Sequence, residues 1–284
     1  MRTAIITGAS SGIGEACAFA LAGKGFCVCL TARREERLQQ ISEQIIRAHG
    51  PGRAIICAGD VTDAADRARV LDSALSQWGR VDVLLNNAGI VTPGVVEEAD
   101  LGAVRREFEI NTFACLAWMQ LVGPIMRQQR QGRIINMSSI SGRLTLPGLG
   151  MYAASKYALE AISDAARLEY WPWGIRVVLI EPGAIVTDIW EKSLVAATSA
   201  RPDWQASPFR DLYEKQHQHV EDMMRGRGPS PAVVAEAVCR AATAIRPRAR
   251  YCVPRGTRLF SLLAFLPTRW RDWLIRRSLK SQPR

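Results

Sequence analysis

The sequence has seven cysteines, but no two of them have the C-x-x-C spacing that zinc sites and redox motifs use. An odd number does not suit a disulfide framework, and Cys27 and Cys29 alternate within an apolar run as buried strand residues do. We therefore expect no disulfides, no metal site and a reducing, cytoplasmic environment. His217 and His219 do not change this view, because residues two apart cannot share one helical face.

Long apolar runs, low-complexity stretches and internal repeats are also missing. The segment Met1–Thr7 reads as a strand, so we expect no signal peptide before it. With 284 residues, of which 48% are hydrophobic, the chain can bury a large core. We expect one catalytic domain over residues 1–254 and a separate tail over residues 255–284.

The body of the chain has no net charge, and the excess of positive charge is concentrated at its end. Residues 246–284 hold 11 Lys and Arg and one Asp, which accounts for the whole net charge of +10. A neutral body argues against a broad nucleic-acid-binding face and favours a local contact with an anionic surface.

Strand and helix patterns alternate from the start of the chain. The predicted strands are 4–7, 26–31, 53–57, 81–85, 133–137, 175–180 and 250–253, and the predicted helices are 14–24, 35–48, 62–78, 101–129, 152–170 and 230–245. Strands separated by helices of this length build a right-handed, Rossmann-type doubly wound parallel sheet, an α/β fold of one domain. Residues 184–229 interrupt the rhythm, and a segment of this kind is typical of a substrate lid.

A glycine-rich turn joins the first strand to the first helix. Gly8 permits the tight turn, Gly12 lets the backbone approach a pyrophosphate, and Gly14 permits close packing of helix on strand. The amino end of the helix then offers free N–H groups to the anion. The turn therefore predicts a dinucleotide site.

The turn has the spacing G-x-x-x-G-x-G after a threonine, which resembles the short-chain dehydrogenase/reductase family. Further landmarks of that family follow in order over residues 3–187: Asp60-Val61, Asn86-Asn87-Ala88-Gly89, Asn111, Ser138-Ser139, Tyr152-Ala-Ala-Ser-Lys156 and Pro182-Gly183. The resemblance implies a nicotinamide cofactor held by Gly8, Ser10, Ser11, Gly12, Ile13, Gly14, Arg33, Arg34, Asp60, Val61, Asn87, Ala88, Gly89, Tyr152, Lys156, Pro182, Gly183, Ile185 and Thr187.

The end of the second strand predicts which dinucleotide is bound. A carboxylate at this point bonds the ribose hydroxyls of NAD and repels a 2′-phosphate. Alignment with the family places Ala32 at that position, followed by Arg33 and Arg34. Since guanidinium groups bind phosphate well, we expect NADP as the cofactor. The alternative is that both arginines are solvated and pair with Glu35 and Glu36.

Tyr152 and Lys156 are four residues apart at the start of a predicted helix, so they share one face. An ammonium beside a phenol favours the phenolate, and we expect it to lower the pKa of Tyr152 toward neutrality. Ser139 stands at the end of a strand, at the sheet edge where ligands bind in open α/β folds.

The resemblance implies roles for four catalytic residues. Tyr152 exchanges a proton with the substrate oxygen, Ser139 hydrogen-bonds that oxygen, Lys156 bonds the nicotinamide ribose, and Asn111 holds a water of the proton relay. Asp60 accepts from the adenine amine, and Thr187 contacts the nicotinamide amide. The expected reaction interconverts a carbonyl and an alcohol.

The expected substrate is a small lipophilic alcohol or ketone, because the segments beside the site are apolar. Ser139, Leu146, Leu149 and Trp190 are its candidate contacts. The tail mixes arginines with Trp and Leu, as basic helices at membrane interfaces do. It either lies on a membrane or packs on the body or on a second subunit.

Two other functions compete with this one. A non-enzymatic cofactor-sensing or membrane-docking protein would need no catalytic set, and here the set is complete. Sugar epimerisation, as in larger relatives, does not suit the short C-terminal half. The resemblance further implies a homodimer or homotetramer formed through residues 101–129 and 152–170.

Overall fold

A computed structural model describes residues 1–200, 203–222, 225, 228–254 and 256–280. One sheet of seven parallel strands runs through the molecule in the order β3-β2-β1-β4-β5-β6-β7. The strands are β1 (Arg2–Thr7), β2 (Phe26–Thr31), β3 (Ala54–Ile56), β4 (Val83–Asn86), β5 (Gly132–Met137), β6 (Ile175–Pro182) and β7 (Arg250–Val253). The order reverses between β1 and β4, which is where open α/β folds bind their ligands.

Helices cover both faces of the sheet, which confirms the doubly wound fold. They are α1 (Gly12–Gly23), α2 (Glu35–His49), α3 (Ala64–Trp78), α4 (Leu101–Phe108), α5 (Ala114–Gln128), α6 (Gly150–Glu169), α7 (Asp188–Ala200), α8 (Arg210–Asp222), α9 (Ala232–Thr243), α10 (Thr257–Leu262) and α11 (Thr268–Lys280).

The alternation of side chains along each strand divides the core into two clusters. On β1, Ile6 faces the side covered by α1, α2 and α9, whereas Ile5 faces α3 and α5. Trp118 and Phe26 are the largest fully buried side chains, one in each cluster. Because both faces are packed, the strands are apolar throughout, and the polar groups that the chemistry needs collect at the strand ends.

Two segments differ from the sequence-based expectation. The helix expected over 101–129 is interrupted by one π-helical turn, Glu109–Phe113, between α4 and α5. The lid expected over 184–229 is not a plain loop but contains α7 and α8. Residues 201, 202, 223, 224, 226 and 227 of the lid, and 255 and 281–284 of the tail, lie outside the described residues.

Candidate active site

A cavity of about 630 Å³ opens at the carboxyl ends of the strands, next to the point where the strand order reverses. Its wall contains the glycine-rich turn, the end of β2, the segment after β4, the catalytic candidates and the start of the lid. The fold therefore brings residues from distant parts of the sequence to one site. Of the four residues predicted to be catalytic, Ser139, Tyr152 and Lys156 line this wall.

The glycine-rich turn has no room for side chains. A Cβ on Gly14 would lie within 2.2 Å of the Gly8 carbonyl oxygen, and one on Gly12 would lie 3.2 Å from Thr187 Cγ2. Gly8 and Gly12 also have positive φ angles of 64° and 58°, which favour glycine. The turn thus exposes bare backbone at the amino end of α1, a cradle that fits a pyrophosphate.

The segment after β4 fixes this cradle from the opposite side. The Asn87 side-chain amide donates to the carbonyl oxygens of Thr7 (2.9 Å) and Gly8 (3.2 Å), and Thr7 Oγ1 accepts from the backbone of Asn87 and Ala88. The cavity is also lined by Ser10, Ser11, Ile13, Gly89, Pro182, Gly183, Ile185 and Thr187. All the residues predicted to bind the cofactor except Gly14 therefore line one cavity, and Gly14 packs directly beneath it.

The two arginines after β2 reach the glycine-rich turn. Arg34 Nη2 donates to the hydroxyls of Ser10 (3.0 Å) and Ser11 (2.7 Å), and Arg33 is exposed at the cavity wall. Ala32, at the position where an acid would select NAD, is buried. These residues place positive charge, and no carboxylate, beside the place where an adenosine ribose would lie.

Asp60 and Val61 line the same end of the cavity. The Asp60 carboxylate accepts from the Thr62 backbone and hydroxyl and from Arg106 Nη2 at 2.8 Å. Burial opposes its ionisation, but the hydrogen bonds from Thr62 and Arg106 outweigh burial and lower the pKa of Asp60 to about 2. Asp60 is therefore a fixed anion at this wall.

Tyr152 and Lys156 lie on the buried face of α6, as their spacing predicted. Tyr152 is 8% exposed and Lys156 is 4% exposed, and the Lys156 Nζ lies 5.8 Å from the centre of the Tyr152 ring. The Nζ donates to the Met137 carbonyl oxygen at 2.9 Å, at the end of β5. Ser139 lies two residues farther on, with its hydroxyl bound to the Ser141 backbone N–H.

The pKa of Tyr152 moves in the direction opposite to the one that the sequence suggested. Burial raises the pKa of Tyr152 to about 12, a hydrogen bond with Ser139 opposes the rise, and the charge of Glu107 adds to it. Burial also lowers the pKa of the Lys156 ammonium. The expectation was wrong because desolvating a phenolate costs more than the hydrogen bond with Ser139 returns, while the Lys156 Nζ donates to the Met137 carbonyl oxygen.

Asn111 lies in the π-helical turn and is fully buried. Its side-chain amide accepts from the Ile90 backbone N–H and donates to the Ile90 carbonyl oxygen, each at 2.9 Å, and it also donates to Ser155 Oγ at 3.1 Å. A Cβ on Gly89 would lie 3.1 Å from the Asn111 Oδ1 and 3.7 Å from the Lys156 Nζ, so both side chains border Gly89. Asn111 thus joins the segment after β4 to α6, the helix that carries Tyr152 and Lys156.

Sequence reasoning missed Glu107, a fully buried carboxyl group one turn before Asn111. Its Oε1 accepts from the Thr92 backbone N–H at 2.8 Å, and its Oε2 has no hydrogen-bond partner. Burial raises the pKa of Glu107 to about 7, while the Thr92 bond and the charge of Lys156 lower it. The signal was present in the sequence, because Glu107 shares the buried face of its helix with Asn111.

The far end of the cavity is built from the lid. Trp190 lines it, as predicted, and donates from Nε1 to the Ile185 carbonyl oxygen. Leu146 and Leu149 are not among the residues that line it, and Leu146 is 43% exposed. Met151, from the apolar segment expected beside the site, does line it, and sequence reasoning missed Trp204, Tyr213 and His217 as contacts there.

Two hydrogen bonds to Glu98 hold the lid against the body of the protein. Glu98 accepts from the Tyr213 hydroxyl at 2.7 Å and from the Ser207 hydroxyl at 2.8 Å. The Trp204 ring packs against Tyr213 and His217, with ring centres 6.4 and 4.8 Å apart. This wall of large aromatic side chains encloses the end of the cavity.

The tail packs beside the site through its first helix and then exposes apolar side chains. Thr257 lies against Gly183, and the Phe265 ring lies under the Arg143 guanidinium at 5.6 Å. Leu259, Phe260, Phe265, Trp270 and Trp273 are each more than half exposed. Within the part of the chain that the structure describes, no helix combines the length and apolar character needed to cross a bilayer.

Comparison with known proteins identifies a matching family model and relatives over nearly the whole chain. A family model described as short chain dehydrogenase matches residues 2–196. The chain is 33% identical over 288 residues to an NADPH-dependent 3-dehydrocapnine reductase from Ornithobacterium rhinotracheale, covering 99% of this chain and 98% of the relative. It is 32% identical over 271 residues to a 3-ketodihydrosphingosine reductase from Bacteroides thetaiotaomicron, covering 95% and 92%.

Among solved structures, the chain resembles a short chain dehydrogenase/reductase from Burkholderia phymatum in complex with NAD. The TM-score is 0.81 at 25% identity, with 92% of each chain covered.

Proposed function

The chain belongs to the short-chain dehydrogenase/reductase family of oxidoreductases, which bind nicotinamide cofactors, and we propose that it is an NADP(H)-dependent carbonyl reductase for a lipophilic substrate. The observation that carries the proposal is the buried Tyr152 phenol, bonded to Ser139 and four residues from the buried Lys156, in a cavity whose other end fits a dinucleotide phosphate. The reverse oxidation uses the same groups.

The proton steps follow from the protonation state of Tyr152. A phenol whose pKa is about 12 is neutral at physiological pH and can donate a proton, which is what carbonyl reduction needs. Ser139 is the second hydrogen-bond donor for the substrate oxygen, and the two hydroxyls would hold the carbonyl group. Lys156 would bind the nicotinamide ribose and favour the phenolate left after transfer. When bound, the dinucleotide supplies the hydride.

NADP is the proposed cofactor because of the residues at the end of β2. Arg33 and Arg34 offer guanidinium groups for a 2′-phosphate, and Ala32 offers no carboxylate for ribose hydroxyls. One relative is named as NADPH-dependent, whereas a structural neighbour was solved with NAD. The arginines therefore support the choice more directly than the relatives do.

The aromatic lid supports a lipophilic substrate. Trp190, Trp204 and Tyr213 give the far end of the cavity a large apolar surface, and two relatives over nearly the whole chain are named as a 3-dehydrocapnine reductase and a 3-ketodihydrosphingosine reductase. We propose a ketone with a long apolar chain as the substrate class.

A panel of ketones run with NADPH and NADH in parallel tests this function. The panel holds the reacting ketone constant and lengthens the apolar chain step by step. We expect NADPH oxidation whose kcat/KM rises with chain length, and a Trp204→Ala variant that flattens this rise. Failure to oxidise NADPH with any member would contradict the proposed activity, and a preference for short polar ketones would contradict only the substrate class.

We propose that the tail docks on an anionic membrane surface. The exposed side chains of the tail combine Phe260 of α10, Phe265 between the two helices, and Trp270 and Trp273 of α11 with basic residues. Near an anionic bilayer each Lys or Arg contributes about 1 kcal/mol, and buried aromatic rings add to this. A lipophilic substrate partitions into the same bilayer, so docking would raise its local concentration.

Cosedimentation with phosphatidylglycerol vesicles tests docking. The full chain should pellet, and a Trp270→Ser/Trp273→Ser variant should pellet at least tenfold less. A Val96→Ser variant is the control, because Val96 is 73% exposed but lies outside the tail. Equal pelleting of the full chain and the tail variant would contradict docking.

We further propose a homodimer or homotetramer that works in the cytoplasm. No disulfide links the seven cysteines, all of which the structure describes, and six of them are buried, which suits a reducing compartment. The exposed stripe of α6 supports an assembly, because Ala154, Tyr157, Ala161, Ala165 and Leu168 carry no charge. Residues 1–254 remain the proposed catalytic domain.

A further inference from the structure

A second cleft, of about 460 Å³, lies at the opposite edge of the sheet from the active site. Its wall is formed at the amino ends of β5 and β6 and the end of α9, and we name it the amino-edge cleft. It is lined by Arg2, Phe26, Asp82, Val83, Arg130, Gln131, Gly132, Arg133, Gly174, Arg176, Ala242, Thr243, Ala244 and Ile245. The proposed reaction uses none of these residues.

The charge of the amino-edge cleft is strongly positive. Asp82, its one acidic residue, already accepts from Arg80 and from the Thr3 backbone N–H. In the described ranges no carboxylate forms an ion pair with Arg2, Arg130, Arg133 or Arg176. Four guanidinium groups therefore share one wall whose single carboxylate is taken by Arg80, although Arg2 and Arg133 each donate from Nη2 to a backbone carbonyl oxygen, of Lys24 and of Ala244.

The fold brings two of these positive charges into direct register. Arg133 on β5 and Arg176 on β6 are Cα partners on adjacent parallel strands, so their side chains start about 5 Å apart on the same face. Burial lowers the pKa of the Arg133 guanidinium, and the charge of Arg176 lowers it further. Like charges placed side by side on a sheet are destabilising, and a bound anion would remove that cost.

Aromatic rings hold several of the guanidinium groups in place. Arg176 stacks on Trp171 at 3.7 Å, Arg130 on Trp173 at 4.8 Å, and Arg2 on Phe26 at 4.3 Å. A stacked guanidinium keeps its N–H edge available in its own plane. Arg176 Nη1 is buried and has no hydrogen-bond partner, so at least one donor in this group has no acceptor in the protein.

The backbone at the rim of the cleft is held in an unfavourable conformation. Arg130 has a φ of 52°, and no other non-glycine residue of the described chain has a positive φ. This conformation ends α5, where the Gln131 N–H donates to the Met126 carbonyl oxygen at 3.2 Å. Here it turns the chain so that the Arg130 carbonyl oxygen packs on Gly174.

We propose that the amino-edge cleft binds a small molecule that carries two or more phosphate groups. Guanidinium forks bind phosphate oxygens in pairs, and several fixed forks on one wall suit more than one phosphate. The volume is within the range of small-ligand pockets. The cofactor phosphates would lie at the carboxyl edge of the sheet, so the two anion sites are separate.

Isothermal titration with sodium tripolyphosphate tests the proposal on the full chain saturated with NADP, which fills the other anion site. We expect saturable binding that weakens at least tenfold in Arg176→Gln. Among the described residues this side chain has no hydrogen-bond partner and stacks on Trp171, so we expect its loss to spare the fold, and the unfolding temperature checks this. Arg176→Lys keeps the charge without the fork and should bind at an intermediate strength.

The matched control is Arg47→Gln, which removes one exposed positive charge from α2 and should change the affinity less than twofold. Absence of saturable binding by the unchanged chain, or equal weakening in both Gln variants, would overturn the proposal.

A phosphorylated lipid headgroup shares this chemistry, and vesicles containing phosphatidic acid distinguish the two sources. We expect Arg176→Gln to pellet with them as the unchanged chain does. If Arg176→Gln instead loses vesicle binding while tripolyphosphate does not bind, the proposed free ligand is excluded.

Discussion

At the scale of single residues, the raised pKa of Glu107 predicts how the stability of the fold depends on pH. Its pKa is raised from 4.5 to about 7 in the folded chain, so between these values the folded state keeps a proton that the unfolded state has lost. The free energy of unfolding contributed by Glu107 therefore falls as the pH rises from 4.5 to about 7, and it is constant above that.

Replacing Glu107 by Gln should remove this loss while keeping an acceptor for the Thr92 N–H. We expect Glu107→Gln to be more stable than the unchanged chain above pH 7 by at most about 3 kcal/mol, since one pKa unit corresponds to about 1.4 kcal/mol. The difference should vanish below pH 4.5. Urea unfolding at several pH values measures it, with the exposed Glu109→Gln as control. A stability difference that does not vary with pH would contradict the assignment.

The cofactor preference is also a property of single side chains. Arg34→Ala removes the guanidinium that reaches Ser10 and Ser11, and Arg33→Ala removes its exposed neighbour. Each should raise the KM for NADPH about tenfold and leave that for NADH unchanged, which corresponds to about 1.4 kcal/mol of lost phosphate binding. Arg37→Ala is the control, because Arg37 pairs with Glu15 on α1. Equal effects on both cofactors would contradict the role of these arginines.

The placement of the site residues could be predicted where it follows from their positions in the sequence. Their pKa values could be predicted less well, because these values depend on burial. The placement of Tyr152, Lys156 and Ser139 follows from a helix face and a strand end, both visible in the sequence. The direction of the pKa of Tyr152 does not, because it depends on how completely the folded protein removes water from the ring.

At the scale of secondary-structure elements, the turn between β1 and α1 offers a matched pair of substitutions. Gly14→Ala would place a methyl group against the Gly8 carbonyl oxygen, whereas Gly23→Ala, in the same helix, would meet no atom within 4 Å. We expect Gly14→Ala to lower both the unfolding temperature and NADPH affinity. Gly23→Ala should be neutral or stabilising by at most about 1 kcal/mol. Fluorescence titration with NADPH measures the difference, and equal affinities would contradict the tight packing of the turn.

Helices and strands with a clear hydrophobic period could be predicted from the sequence. Segments whose conformation depends on contacts with neighbouring elements could not. The predicted strand and helix over 26–31 and 35–48 match β2 and α2 to within one residue. The π-helical turn at Asn111 was missed, because the apolar period continues through it and the bonds of its amide to Ile90 and Ser155 exist only in the folded chain. The lid helices α7 and α8 were missed because Trp and Tyr stand among charges there.

The lid also explains why the predicted substrate contacts differ from the residues that line the far end of the cavity. Leu146 and Leu149 were predicted from their closeness in sequence to Tyr152. Trp204, Tyr213 and His217 reach the cavity through long-range contacts, among them the bonds from Tyr213 and Ser207 to Glu98 across more than 100 residues of sequence. A single sequence carries no signal for a contact of this range.

At the scale of the whole molecule, the uncharged stripe of α6 predicts assembly. Tyr157 is 41% exposed and Leu168 is 68% exposed, and small alanines between them allow close approach of a second copy. We expect Tyr157→Asp/Leu168→Asp to dissociate the assembly in sedimentation velocity. Val96→Asp, at an exposed apolar residue off this stripe, should leave it intact. A monomeric unchanged chain would contradict the proposed oligomer.

The whole account depends on a neutral, buried phenol giving its proton to a substrate held beside a dinucleotide. The most direct measurement is single-turnover oxidation of bound NADPH by a reactive ketone, in the unchanged chain and in Tyr152→Phe, with NADPH affinity measured for both. We predict a rate about 10²- to 10⁴-fold lower in Tyr152→Phe, with unchanged affinity. Equal rates in the two proteins would contradict the account.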